Sequence, residues 1–308
     1  MAILIEVNSD SFVAEVTNID LRVPLSESEF SDIHSAFNRY AILVFRGQPL
    51  TDEQQLAFSR WFGPLEAAPN YAGTALRLRN EFTDISNLDH AGKILDPQDR
   101  LTAYNLGNQL WHTDSSFKRR RAKCSLLSAR EVPQHGGETQ YADMRAAYDA
   151  LPHKRKLEID DLVAEHSIAH SRSRIGFDGF NDDTVTGLPP VPQRVVDHYP
   201  ESGRTSLFLA SHASHIIGWH REQGRALLDE LIDFATQPQF VYTHRWAVDD
   251  LVVWDNRCTM HRGRPYDLTE RRVLHRTTVS DALTSFHERA SADQRLLTSP
   301  MPVGGRNV

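Results

Sequence analysis

Cysteine occurs only twice in the 308 residues, at Cys124 and Cys258, too few for a disulfide scaffold and without the CxxC spacing of a zinc or redox motif. Both read as small buried residues. No run of about 18 apolar residues is present, so no membrane-spanning helix is expected. Met1–Asp10 lacks the basic region and cleavage site of a signal peptide, which points to a cytoplasmic protein. An excess of positive charge is missing too. The formal charge of −7 and the pI near 6.1 exclude a general nucleic-acid binder, and the run Lys118–Arg121 reads as a solvated loop. There is no internal repeat, low-complexity tract or linker, so residues 1–308 are expected to form one domain. What remains is an ordinary globular composition, 40% hydrophobic and 24% charged, on a chain long enough to bury a sizeable core.

Helix signals are clearest near the start. Ser26 with Glu29 forms a capping-box pattern ahead of Phe30, Ile33, Phe37 and Tyr40, and Thr51 with Gln54 opens a second helix through Leu56, Phe58 and Trp61. Between them Ala41–Phe45 reads as a buried strand. From about Asn105 the pattern turns to short strands bounded by Gly, Pro, Asn and Asp: Cys124–Ala129, Ser206–Ser211, Phe240–Trp246, Leu251–Trp254 and Arg272–Val279. Helices are expected at Met144–Ala150, His153–Val163 and Arg221–Ala235. The spacing predicts a mainly β sandwich or barrel with flanking helices, and Arg172–Val191, rich in Gly, Asp, Asn and Pro, reads as a lid or insertion.

Chemistry concentrates in two places. His112-Thr113-Asp114 lies at a strand-to-loop edge without helical period, and residues two apart in an extended segment point the same way, so both side chains can reach one ion. The pattern is weak alone: composition gives roughly two His-x-acid matches by chance, and two are present. The other, His220-Arg221-Glu222, opens a helix, where such residues diverge by about 200°. A divalent iron that must bind a co-substrate and oxygen takes two histidines and one carboxylate on one face, so a third ligand is needed. His261, beyond the β segment ending at Trp254 and a polar turn, is the candidate; the alternative is a capped surface histidine. The strand that returns past Gly263–Asp267 places Arg272, Leu274 and Arg276 on one face. Two inward arginines are costly without anionic partners, and about 13 Å between their Cα atoms lets them serve two carboxylates. Surface or internally paired arginines are the competing reading.

Together these residues resemble the taurine dioxygenase/dichlorophenoxyacetate dioxygenase family of iron(II)/2-oxoglutarate enzymes. The likeness extends through Leu43–Gln48, Gly136–Thr139, Asp143–Leu151 and Trp254–Arg257, in order along most of the chain. It implies a double-stranded β-helix, or jelly roll, with iron(II) held by His112, Asp114 and His261. It further implies that Arg272 pairs with the distal carboxylate of 2-oxoglutarate, that Thr139 assists it, and that Arg276 takes the acidic group of the prime substrate. The segment Ala210–His215 leans toward the aryloxyacetate-cleaving members, with His212 and Asn108 as pocket candidates; a hydrogen-bonding structural role is equally open for each. The expected partners are a small carboxylate and dioxygen, with no nucleic acid and no membrane, and homo-oligomerisation is left open. The expected reaction hydroxylates the carbon beside an ether oxygen and releases a phenol and glyoxylate, with succinate and carbon dioxide. The nearest alternative is a sister enzyme acting on a sulfonate or alkyl sulfate. A zinc hydrolase and a non-catalytic jelly-roll binding protein are more distant ones.

Overall fold

The run Ile42–Phe45 has no polar face because the folded chain covers both its faces. The computed structural model describes residues 3–7, 12–67, 76–178, 180, 187–199 and 201–285. Its strands are β1 (Leu4–Val7), β2 (Val13–Thr17), β3 (Ile42–Phe45), β4 (Phe82–Ser86), β5 (Arg120–Glu131), β6 (Thr139–Asp143), β7 (Val163–His166), β8 (Val191–Arg194), β9 (Val196–Tyr199), β10 (Arg204–Leu207), β11 (Ala213–Ile216), β12 (Val241–His244), β13 (Leu251–Asp255), β14 (Thr259–Gly263) and β15 (Val273–Ser285). A seven-stranded sheet runs β1-β2-β3-β13-β5-β15-β4, and a three-stranded sheet runs β12-β6-β14. The two face each other as a jelly roll with helices outside. A smaller sheet, β11-β7-β8, and the hairpin β9-β10 lie beside them.

Period-two alternation sorts the side chains into layers. Ile42, Val44, Leu127, Val252, Trp254 and Leu274 meet Tyr141 and Tyr242 between the sheets. Leu43, Phe45, Leu126, Leu251, Val253 and Val279 point the other way and pack on Ile33 and Phe37 of the helix Glu27–Tyr40 and on Phe58 of Asp52–Trp61. Both helices start in reciprocal capping boxes, Ser26 with Glu29 and Thr51 with Gln54, as the sequence predicts. On the far side Ala142 and Met260 meet Leu227, Leu228 and Leu231 of the helix Arg221–Ala235. Each such large apolar side chain contributes on the order of 1.5–3 kcal/mol when fully buried.

Some local expectations are corrected. The helix expected over His153–Val163 ends at Ile159, because Val163 is claimed by a strand that pairs on both sides, with β8 and β11. The strand expected over Ser206–Ser211 ends at Leu207; Phe208 then donates its N–H to Val195 O and Ser211 to Trp111 O. Lys118–Arg121 is a solvated loop only in part: Arg119 and Arg120 are exposed, but the strand begins at Arg120 and the two ends of the run are paired. Arg121 is buried on Asp197 at 2.8 Å and Lys118 meets Glu66 at 2.5 Å. The proposed lid does not begin in a loop, since Arg172 belongs to the helix Ile168–Ser173; of that stretch, 179 and 181–186 lie outside the described residues. Cys124 and Cys258 are free and buried. Among the described residues no helix is long and apolar enough to cross a membrane.

Candidate active site

His112 and His261 are joined by their own backbones. His112 N–H donates to His261 O at 2.9 Å and His261 N–H donates to His112 O at 2.8 Å, an isolated antiparallel bridge that adds His112 to the edge of the β12-β6-β14 sheet. Their rings lie 4.2 Å apart between centroids. On β14 alternation turns Met260 outward and His261 inward against Tyr141 and Trp254. Two residues after His112, Asp114 comes to the same point, and Ser115 then takes a left-handed φ of 54°, which turns the chain away. One ligand atom from each of His112, Asp114 and His261 lies within 4.8 Å of the other two, and all three residues are buried.

The groups around them fix orientation and protonation. His112 Nδ1 is 2.7 Å from Leu110 O, which can only accept, so Nδ1 carries the proton and Nε2 keeps its lone pair for an ion. Asp114 Oδ2 accepts from Ser125 Oγ at 2.7 Å, Ser125 Oγ accepts from Asn256 Nδ2 at 2.9 Å, and Asn256 Oδ1 accepts from Trp254 Nε1 at 2.9 Å. Asp114 Oδ1 accepts from Arg276 Nη1 at 2.5 Å. Burial holds the His112 pKa down at about 4 against the opposing pull of Asp114, and burial drives His261 well below its ordinary value. Burial is the largest single influence on the Asp114 carboxyl and would raise it, but the Arg276 guanidinium, His261, His112 and the Ser125 hydroxyl together outweigh it and bring the pKa to about 2. Two neutral imidazoles and one carboxylate, all deprotonated donors on one face, fit a divalent metal.

These shifts set the pH response of metal binding. Protons compete for the ligands only near the folded pKa values, which lie below the ordinary histidine value. Manganese(II) affinity, measured by titration calorimetry, is expected to change less than about threefold between about pH 7 and about pH 5, where two ordinary histidines would together cost roughly several hundredfold. A loss of that larger size means that the imidazoles are not held neutral by burial.

Two cavities meet at this point, and His112, Asn108 and Arg276 line both. The smaller is also lined by His261, Thr139 and Arg272. Arg272 is buried, lies 5.4 Å over the Tyr266 ring, and donates through Nη2 to Gly137 O at 3.1 Å. Burial depresses its pKa, and among the described residues no carboxylate pairs with it. An anion is what this guanidinium lacks. Thr139 Oγ1 accepts from Trp246 Nε1 at 3.0 Å, which leaves its hydroxyl hydrogen free for a ligand. Arg271, one residue earlier, points outward to Glu131 at 2.7 Å, so the alternation of Arg272, Leu274 and Arg276 follows the sequence reading. A bulge between Val273 and Leu274 is absorbed by β5, and β15 stays regular against β4.

The larger cavity has apolar walls that include Phe82, Ile85, Leu95 and Phe117. His212 is buried there, its Nδ1 2.9 Å from Ser116 Oγ, with Phe117 edge-on at 4.8 Å. Arg276 is placed differently from the simplest sequence reading. It faces the cavity, but one of its donors is taken by Asp114. Sequence reasoning missed Ser125, in the middle of β5, and Asn256, just after β13, whose inward register could have been counted from Leu127 and Trp254. It also missed Arg172, assigned to the insertion although it lines the larger cavity.

Residues 7–278 match the profile of a family described as taurine catabolism dioxygenase TauD, TfdA family. The chain is 46% identical over 276 residues to an alpha-ketoglutarate-dependent 2,4-dichlorophenoxyacetate dioxygenase of Cupriavidus pinatubonensis, covering 88% of this chain and 96% of that protein. It is 40% identical over 272 residues to an (S)-phenoxypropionate/alpha-ketoglutarate-dioxygenase of Sphingobium herbicidovorans, covering 86% of this chain and 90% of that one. The crystal structure of AAD-2 in complex with Mn(II) and N-oxalylglycine superposes with a TM-score of 0.85 at 46% identity, over 92% of this chain and 99% of that one.

Proposed function

The chain belongs to the TauD/TfdA family of iron(II)/2-oxoglutarate-dependent dioxygenases, and from that premise we propose that its prime substrate is an aryloxyacetate, hydroxylated on the carbon beside the ether oxygen. One observation carries the reading: two cavities share the wall formed by His112 and Arg276, one small and carrying the buried Arg272, the other larger, with Phe82, Ile85, Leu95 and Phe117 forming an apolar part of its wall near Arg276. The first suits the dicarboxylate co-substrate and the second an aromatic ether with one acidic end.

In this proposal His112, Asp114 and His261 hold iron(II), which when bound supplies the oxidising chemistry that converts 2-oxoglutarate and dioxygen to succinate and carbon dioxide and hydroxylates the substrate. Arg272 holds the distal carboxylate of 2-oxoglutarate in a charge-assisted pair, with the Thr139 hydroxyl donating to it. Ser125 and Arg276 keep the Asp114 carboxylate oriented and ionised. Arg276 also faces the prime substrate's acidic group, and the apolar wall that includes Phe82 and Phe117 receives the ring and excludes water. Asn108 and His212 line the space between. The hydroxylated carbon is then a hemiacetal centre, which collapses to a phenol and glyoxylate. The small carboxylate and dioxygen are thus the working partners.

The test is a substrate panel incubated with iron(II) and 2-oxoglutarate under air. Phenoxyacetates are expected to give phenol and succinate in equal amounts. Release of sulfite from alkylsulfonates, or of sulfate from alkyl sulfates, without phenol from any phenoxyacetate overturns the aryloxyacetate reading in favour of the sister chemistry.

A further inference from the structure

Arg172 is a buried cation without a counter-charge. It lies in the last turn of the helix Ile168–Ser173, is 5% exposed, and lines the larger cavity with His112, His212 and Arg276. Among the described residues no carboxylate pairs with it. Its Nε has no hydrogen-bond partner, its Nη1 makes a long contact of 3.4 Å to Ser171 Oγ, and its remaining side-chain hydrogen bond goes to the neutral phenol of Tyr104. The neighbouring charges make the deficit worse. Arg172 and Arg276 both act on His112 electrostatically, in the sense that repels positive charge. A divalent ion on the triad adds to that field, and the distal carboxylate of 2-oxoglutarate is directed to Arg272.

The guanidinium is nevertheless held in a built cradle. Its Cζ stands 4.3 Å over the Tyr104 ring, a stacked geometry that a planar guanidinium favours. Its other flank presses on Gly107, where an added Cβ would lie 2.1 Å from Nη1. Only a glycine admits this approach. Tyr104 and Gly107 belong to the same short stretch, Arg100–Gln109, that supplies Asn108 to the cavity. A long side chain that could reach solvent is instead fixed inward, at an energetic cost that an anionic ligand offsets.

We infer that Arg172 is a second anion-recognition residue of the prime-substrate cavity and reads the acidic group of the substrate together with Arg276. The inference rests on the aryloxyacetate reading for the identity of that group. It explains why Arg276 can give one donor to Asp114 and still work in a site selective for an acid. The segment that follows Arg172 folds back through Phe177, whose N–H donates to Arg172 O at 3.0 Å and whose ring meets Tyr104 at 5.5 Å.

The experiment is equilibrium binding to protein loaded with manganese(II) and N-oxalylglycine, which does not turn over. The probes are phenoxyacetate, its neutral primary amide and an alkylsulfonate with its sulfonamide. Wild type is expected to prefer the acid over its amide. Arg172→Gln should cut that preference by about thirtyfold or more, the usual scale for one partner of a buried charge pair, with N-oxalylglycine affinity unchanged. Arg172→Lys should restore part of it, because the charge remains and the fork is lost; it also keeps the question answerable if the Gln variant does not fold. A merely structural arginine would lower the melting temperature and leave the acid-to-amide ratio alone, and an unchanged ratio in both variants overturns the inference. If wild type binds the sulfonate and not phenoxyacetate, the aryloxyacetate reading fails, and Arg172 is judged on the sulfonate pair. Wild type that prefers neither anion over its neutral partner overturns both.

Discussion

Alanine at His112, Asp114 or His261 is expected to reduce 2-oxoglutarate turnover to background while the chain stays folded. The three are the described residues whose ligand atoms converge, and three ligands are the minimum for an ion that must keep positions open. The bridge that joins His112 to His261 is made by main-chain atoms, so both histidine side chains can be removed without breaking it. Asp114→Ala is the most damaging to stability. It strands Arg276, whose side chain is 16% exposed and loses its 2.5 Å partner, and breaking such a buried pair costs about 3–5 kcal/mol. Asp114→Asn is the companion variant that keeps the Ser125 contact. Succinate formation, manganese(II) binding and thermal unfolding are measured together; wild-type metal affinity in any one alanine variant removes that residue from the ligand set.

Arg272→Ala should weaken 2-oxoglutarate by about 2–5 kcal/mol, which is about thirtyfold to several thousandfold. The cause is burial: Arg272 is enclosed with Tyr266 and the Gly137 carbonyl, whereas the other guanidiniums that line that small cavity are the exposed Arg264 and Arg276, which is paired with Asp114. Arg271→Ala should leave the affinity unchanged, since Arg271 is exposed on Glu131. Arg272→Lys should fall between. If Arg271→Ala weakens 2-oxoglutarate and Arg272→Ala does not, the inward face of β15 is misassigned by one residue.

The parts legible in the sequence were those governed by short-range rules. The two capping boxes, the Arg221–Ala235 helix and the alternation of Arg272, Leu274 and Arg276 depend on spacing alone, and they appear where spacing puts them. The triad was legible only once three weak patterns were combined, because His112 and His261 meet through a pairing that no local signal announces. Arg172 was hidden for the opposite reason. Its neighbours Gly176, Asp178 and Gly179 have loop composition, while its inward position is decided by Gly107 and Tyr104, far away in sequence. Lys118–Arg121 misled for a similar reason: charge density suggests solvent, but Asp197 and Glu66 lie across the fold to receive it.

The backbone bridge between His112 and His261 also dictates when the metal site comes into being. Its two halves are separated by roughly half the chain, and Arg272 and Arg276 follow later still, on the strand that closes the large sheet between β5 and β4. Pairings of such long sequence separation form late, because loop closure must precede any gain from contact. During synthesis the chain therefore carries His112 and Asp114 without a converging third ligand until His261 has emerged and paired. The complete three-ligand site exists only once β14 has brought His261 to His112.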